Sequence, residues 1–387
     1  MSLAAAGSDL SMVRATLADL ARQSPAAHSD KQAAATDLCQ WLRFALGPGR
    51  GLGPGQTELR ELAREALALI VSKLQDPGSA ETFCGLDLDL SSIVLDEPGF
   101  TGAQFTAGTV SFRNCRFGPG VSFEGAQFSG ARVVFDGSTF TGSRQRGGGE
   151  FAHAVFSGST VSFADSVFFR DIYSFDDTDF RSGRVIFDRV QLSDSVLSFV
   201  RARFAGAFVT FSDAVLQRGA VNFPDGRVSD GELRFDRARL LAATSLSRLV
   251  IDGGNVSFDN SEVSALVSFT DLTLNGGSLS MRGMTVTSGL VDFRHLVVDG
   301  GALIMDGTRA HFGNVDLREV SFLRGSVSFR GVQAPFDGII YLPWATYTHG
   351  GKQVHDATFD IENDHEFMVT VARYRPGVIT DWGPLKP

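Results

Sequence analysis

Residues 110–128 read VSFRNCRFGPGVSFEGAQF, and this stretch decides the fold. Phe112 is followed five positions later by Phe117, and Phe123 by Phe128. Val110 and Val121 stand two residues before the first member of each pair, Cys115 and Ala126 two residues before the second. Spacing of i, i+2 places side chains on one face of a strand. A helix would instead need apolar residues at i, i+3, i+4 and i+7 throughout the unit. The unit V-x-F-x-x-A-x-F, closed by four residues rich in Ser, Gly and Asp, therefore predicts two very short strands and two corners.

The same pairs continue downstream as Phe135/Phe140, Phe151/Phe156, Phe163/Phe168, Phe175/Phe180, Phe187/Leu192, Phe199/Phe204 and Phe211/Leu216. Val, Leu, Ile, Met or Ala replaces some of the Phe in later units, and the last pair is Phe329 with Ala334. The step between first members is twelve residues, except for three steps of eleven and one of sixteen, from Phe135 to Phe151. These phenylalanines are the expected core ladder. No single unit can bury its own inward residues, so units must stack. Each large inward side chain then contributes on the order of 1.5–3 kcal/mol, against the ordering entropy of so many turns. Strands stacked roughly 4.8 Å apart bring identical positions into register along the stack.

Composition agrees with a dry, stacked interior. The 387 residues include 33 Phe but 4 Tyr, as expected where rings have no partner for a hydroxyl. The 43 Gly show no three-residue spacing, which excludes collagen and points to tight turns. A net charge of −9 argues against a general nucleic-acid-binding surface, so no direct nucleic-acid binding is expected. The three cysteines, Cys39, Cys84 and Cys115, lack paired spacing and fit a reducing compartment. The first twenty residues lack the order of a signal peptide, and no stretch of eighteen apolar residues occurs. A cytoplasmic protein with no membrane span is expected.

Upstream of the quoted stretch, Leu90, Leu95, Phe100 and Phe105 are spaced by five, with Leu88, Ile93 and Ala103 two residues before three of them. This pattern resembles the pentapeptide-repeat family, and Gly125-Ala126-Gln127-Phe128-Ser129-Gly130 is similar to its Phe-type variants. The segments Leu17-Ala18-Asp19-Leu20-Ala21-Arg22, Ser24-Pro25, Leu38-Cys39 and Trp41-Leu42-Arg43 resemble the helical leader of a bacterial subgroup. Gly85-Leu86-Asp87-Leu88-Asp89-Leu90 stands where that subgroup begins its repeats. The resemblance covers roughly residues 10–335. It implies a mainly β fold, a right-handed four-sided β-helix with one pentapeptide per side. Here 5 + 7 replaces 5 + 5, which implies extra residues at alternate corners and coils of two units, about 24 residues. A flattened coil of one unit is the alternative.

The ends differ from the repeats. Leu10, Val13, Leu17 and Leu20 lie at helical spacing, as do Leu38, Trp41, Leu42 and Ala45. Leu59, Leu62, Ala66, Leu69 and Leu74 mark a third helix, with Glu58 and Glu61 in its first turn. The expected organisation is a helical cap over 1–80, a solenoid over 81–335 and an irregular C-terminal cap over 336–387. Trp41, Trp344 and Trp382 all fall outside the coils. The C-terminal cap is a candidate homodimer surface. The sixteen-residue step contains the insertion Thr141–Glu150, with Arg144, Arg146, Gly147, Gly148 and Gly149 as candidate partner contacts, since insertions in repeat arrays collect on binding faces.

No catalytic residue, cofactor site or metal site is expected. Gly147 to Gly149 lack the strand–loop–helix setting of a phosphate loop, and the cysteines lack metal-ligand spacing. His349, His355 and His365 lie near Asp356, Glu362, Asp364 and Glu366, but spacings of six and ten fit no standard metal motif. His153 and His295 face outward by phase. Asp165, Asp176, Asp177, Asp179 and Asp188 form the densest acidic group, which a polysaccharide-active β-helix enzyme would require; Asp at corners is also ordinary turn chemistry. The position before each first anchor is mostly hydroxylated, as at Ser111, Ser162, Ser198, Thr210, Ser257, Ser268 and Ser280, and a solvated strand face is expected there.

The expected function is a non-catalytic scaffold binding a protein partner. The resemblance also implies an alternative, because some pentapeptide-repeat proteins bind DNA gyrase by imitating duplex DNA. Between Leu86 and Ala334, however, 28 Asp and Glu stand against 23 Arg. That excess is far below the one charge per roughly 1.7 Å of duplex axis.

Overall fold

The computed structural model describes residues 10–22, 27–48, 56–96, 99–142, 150–328, 330, 332–333, 339–341 and 357–360. The chain divides into two compact units, one of Met1–Ser198 with Ala207–Val209 and one of Phe199–Gly206 with Thr210–Pro387. Both are built of coils of about 24 residues, about ten in all.

The first unit begins with helices α1 (Leu10–Arg22), α2 (His28–Leu46) and α3 (Gln56–Gln75). Their apolar faces meet through Val13, Leu38, Trp41, Leu42, Leu62, Ala66 and Leu74, all buried. Of the two glutamates expected in the first turn of α3, Glu58 is there. The helices are tied to the first coil by polar contacts. The Gln32 amide donates to Asp87 O at 2.8 Å and accepts from Asp87 N at 2.9 Å. Arg43 pairs with Asp89, and Gln75 donates to Thr101 O at 2.7 Å.

Four parallel ladders follow, one for each side of the coil. On the first side Val110 pairs with Val133, Val133 with Val161 and Val161 with Val185. The second carries Phe117, Phe140, Phe168 and Leu192 in register. The third pairs Tyr173 with Leu197, and the fourth aligns Phe105, Phe128, Phe156 and Phe180. The coil is therefore four-sided and contains two twelve-residue units; the flattened one-unit coil does not occur. The extra residues of the 5 + 7 step, such as 129–131, fall before the three-residue strands.

The second unit repeats this plan. Its first side aligns Leu233, Val256, Leu279, Leu303 and Val327, and its second Leu216, Leu240, Val263, Val286 and Ala310. Val221, Thr244, Val267, Val291 and Val315 form the third side, and Phe204, Val228, Ile251, Leu274 and Val298 the fourth.

Each first anchor from Phe112 to Leu317 is followed two residues later by a left-handed residue, as a type II turn requires. In Phe123–Ala126 the Ala126 N–H donates to Phe123 O at 3.0 Å, with Gly125 at φ 64°. The same third position is left-handed at His153, Asp165, Arg189, Asp213, Arg237 and Arg248, among others. Most of these corners carry a side chain where glycine would be unstrained.

The interior is filled by the phenylalanines. From Phe112 to Phe211 none of the ladder rings is more than 2% exposed. Phe123, Phe151 and Phe175 stack at 4.9 and 4.7 Å with rings within 1° of parallel. Phe112, Phe135 and Phe163 form a second column at 5.1 and 4.7 Å. Rings of the two columns meet edge to face, as between Phe123 and Phe135 at 5.3 Å and 88°. The strand spacing thus coincides with a favourable ring-stacking distance, while alternate sides supply the T-shaped contacts. One phenol does enter this interior. Tyr173, 2% exposed, donates its hydroxyl to Phe140 O at 2.8 Å, with Phe169 O at 3.0 Å.

Candidate functional site

With the interior filled by apolar rungs, the polar side chains lie mainly at outward positions, and these fall into three groups. The first is the left-handed corner. One coil apart in sequence, Arg189 and Asp165 meet through two parallel hydrogen bonds, Nε to Oδ1 and Nη2 to Oδ2, both 2.7 Å. Arg237 holds Asp213 in the same way at 2.8 Å, and Arg248 holds Asp225 at 2.6 and 2.9 Å. The guanidinium keeps the Asp165 and Asp225 carboxyls below the usual range by direct hydrogen bonding. His295 approaches Glu319 at 3.3 Å at an equivalent corner. His153 and His295 are exposed, as their phase predicts.

The second group is the column preceding the first anchors, and at five of its positions the expectation of a solvated face is corrected, while Ser111 and Ser257 are partly exposed. Ser162, Ser198, Thr210, Ser268 and Ser280 are no more than 9% exposed. Carboxylates that follow first anchors cover two of these: Ser198 Oγ donates to Asp176 Oδ1 at 2.6 Å and Ser280 Oγ to Asp259 Oδ1 at 2.6 Å, whereas Ser268 Oγ meets the hydroxyls of Ser247 and Thr270 at 3.0 and 2.7 Å. Ser162 bonds Asp136 and Ser257 bonds Asp236 likewise. Further along, Asp292 and Asp316 replace the serine at 3% and 2% exposure. Burial pushes the Asp292 carboxyl up, but hydrogen bonds from the Arg294 side chain and backbone outweigh it and leave it lowered.

The third group lies on the first coils, at the end that carries Asp89. A groove of about 490 Å³ runs across three successive strands, lined by Asp89, Ser91, Ser111, Arg113, Asn114 and Arg132 among others. Asp89, its one carboxylate, is bonded by Arg43 and by Ser91. Arg113 reaches Asp136 Oδ2 at 3.6 Å.

The inserted contacts Arg144, Arg146, Gly147, Gly148 and Gly149 lie outside the described residues, as do His349, His355, His365, Trp344, Trp382 and most of the C-terminal segment. The two ends of the insertion are described. Thr141 Oγ1 donates to Phe117 O at 2.9 Å. Glu150 is 8% exposed and lines a void of about 10 Å³ with Phe123 and Tyr173. Burial pushes its carboxyl up to about 7, with nearby Asp171 adding to the rise. Its Oε2 has no hydrogen-bond partner among the described residues.

Among the described residues no group of three or more His, Cys, Asp or Glu is arranged to hold a metal ion. All three cysteines are free, and burial raises the thiols of Cys39 and Cys115 to about 12, far from a reactive thiolate. No described helix is long and apolar enough to cross a membrane. Sequence reasoning missed the Asp–Arg corners, the groove and the burial of Glu150. The corners carried a legible signal, since Asp165, Arg189, Asp213 and Arg237 all stand two residues after a first anchor.

Residues 90–139 match a family described as pentapeptide repeats (9 copies). No curated protein and no solved structure matches the chain. Together, the matched segment and the four parallel ladders of each unit fit a pentapeptide-repeat protein folded as a β-solenoid.

Proposed function

We propose that this solenoid is a non-catalytic scaffold that binds a protein partner through its outer sides, in the cytoplasm. The carrying observation is the closed interior: from Phe112 to Phe211 no ladder ring is more than 2% exposed, and the void of about 10 Å³ beside Glu150 is too small for a substrate. The outside, by contrast, carries side chains at fixed spacing on a rigid frame. Free cysteines with raised thiols fit a reducing compartment. The insertion with Arg144, Arg146 and Gly147 to Gly149 and the homodimer surface of the C-terminal cap are parts of this proposal.

The gyrase-directed DNA-mimic reading finds less support. A mimic of duplex DNA needs an uninterrupted acidic side. Here the corner carboxylates Asp165, Asp213 and Asp225 are each neutralised by an arginine one coil on.

The test is a tagged pull-down from the native host, comparing the full chain with a variant lacking residues 144–149. A stoichiometric partner retained by the full chain and lost with the insertion is expected. Recovery of gyrase subunits would replace the reading with the mimic, and the absence of any enriched protein would overturn it.

A further inference from the structure

We infer that the groove across the first three strands of the solenoid's first side is a receptor for an acidic, extended segment of a protein partner. This rests on the scaffold reading and gives it a location and a ligand chemistry. The groove crosses the strands at Asp89, Ser111 and Val134, which are in register on three successive coils. At the usual strand spacing this is a length of roughly 10 Å, enough for about three residues of extended chain.

Its lining sorts into two kinds of group. Ser91, Ser111 and Asn114 supply neutral hydrogen-bonding side chains. Arg113 and Arg132 supply positive charge. The Arg132 side chain makes no ion pair or hydrogen bond among the described residues, and Arg113 has only the 3.6 Å approach to Asp136, whose other oxygen accepts from Ser162. The one carboxylate of the lining, Asp89, is compensated by Arg43, so it does not cancel either arginine. In a chain of net charge −9, the guanidinium of Arg132, unpaired among the described residues, with Arg113 held only at 3.6 Å from Asp136, selects carboxylates, and guanidiniums favour their planar geometry. A peptide with acidic side chains on alternate residues would present them along one edge, with its backbone against the hydroxyls.

The test is fluorescence anisotropy of a labelled Glu-Ser-Glu-Ser-Glu peptide with the full chain, against a Lys-Ser-Lys-Ser-Lys control. The acidic peptide is expected to bind and the basic one not. Affinity should fall about tenfold or more in Arg132→Glu, and also on raising salt. Arg132→Gln gives an intermediate loss, and it serves alone should the reversal impair folding. Equal binding by Arg132→Glu, no binding by wild type, or displacement by low-millimolar inorganic phosphate would overturn the proposal, the last in favour of a small-anion site. The two readings separate cleanly. If Arg132→Glu retains the native partner at wild-type yield, the groove proposal fails while the scaffold stands; if wild type retains no partner, the scaffold fails while the anisotropy still judges the groove.

Discussion

Arg189 sits one coil after Asp165 and grips its carboxylate with two 2.7 Å hydrogen bonds, although both residues are left-handed, at φ 56° and 59°. A favourable pair is thus built from two unfavourable backbone conformations. Both side chains are more than half exposed, so solvent screening limits the pair to about 0–1 kcal/mol. The left-handed conformation costs a comparable amount for a residue with a Cβ.

Replacing Arg189 by Gly should therefore leave stability within about 0.5 kcal/mol of wild type, because relief of the corner offsets loss of the pair. Arg189→Val should cost at least about 1 kcal/mol, since a β-branched residue at positive φ is strained. Urea denaturation of the two variants checks the contrast.

The aromatic columns are expected to dominate stability. Phe151 is fully buried between Phe123 and Phe175. Phe151→Ala should destabilise by about 3–5 kcal/mol through lost burial and a residual cavity. Chemical denaturation measures this, and a loss below about 1 kcal/mol would contradict a tightly filled interior.

Two glycines with positive φ should behave oppositely. At Gly183, φ 88°, a Cβ would come within 2.2 Å of Ser159 O on the neighbouring strand. Gly183→Ala should lower stability by about 1–3 kcal/mol. At Gly125, φ 64°, a Cβ would meet nothing within 4 Å, and the equivalent corners at Asn114 and Asn260 already hold asparagine. Gly125→Asn should fall within about 0.5 kcal/mol of wild type, and urea denaturation of both variants checks the contrast.

Glu150 gives the fold a pH dependence. Burial raises its carboxyl in the folded state to about 7, from an ordinary value of 4.5. The unfolded chain loses this proton first, so the folded state binds more protons between the two values and stability falls as pH rises through that window. The loss levels off above about pH 7 at about 3 kcal/mol. Thermal melts from pH 4.5 to 8 should show this slope, and Glu150→Gln should remove it and melt higher at pH 8.

How much of this was legible in the sequence depends on the range of each interaction. Phe112/Phe117 and Phe123/Phe128, with Val110 and Val121, determined short strands, inward phase and stacking, because side-chain alternation is a local property of the backbone. Helical spacing from Leu10 to Leu74 is local in the same sense. The tertiary structure decided what lies opposite each residue one coil later. In a twelve-residue coil Asp165 would stack on Asp177, carboxylate on carboxylate; the observed coil of two units sets it against Arg189. The same register buries Ser162 and Ser198 beneath Asp136 and Asp176, which the alternation alone assigns to solvent. It also aligns Asp89 with Ser111 on the floor of the groove, and folds Glu150 against Tyr173 beside the insertion. Strand periodicity is encoded within a few residues, whereas register depends on a partner about 24 residues away. Charge pairing, burial and the groove therefore emerged only when the coils closed on one another.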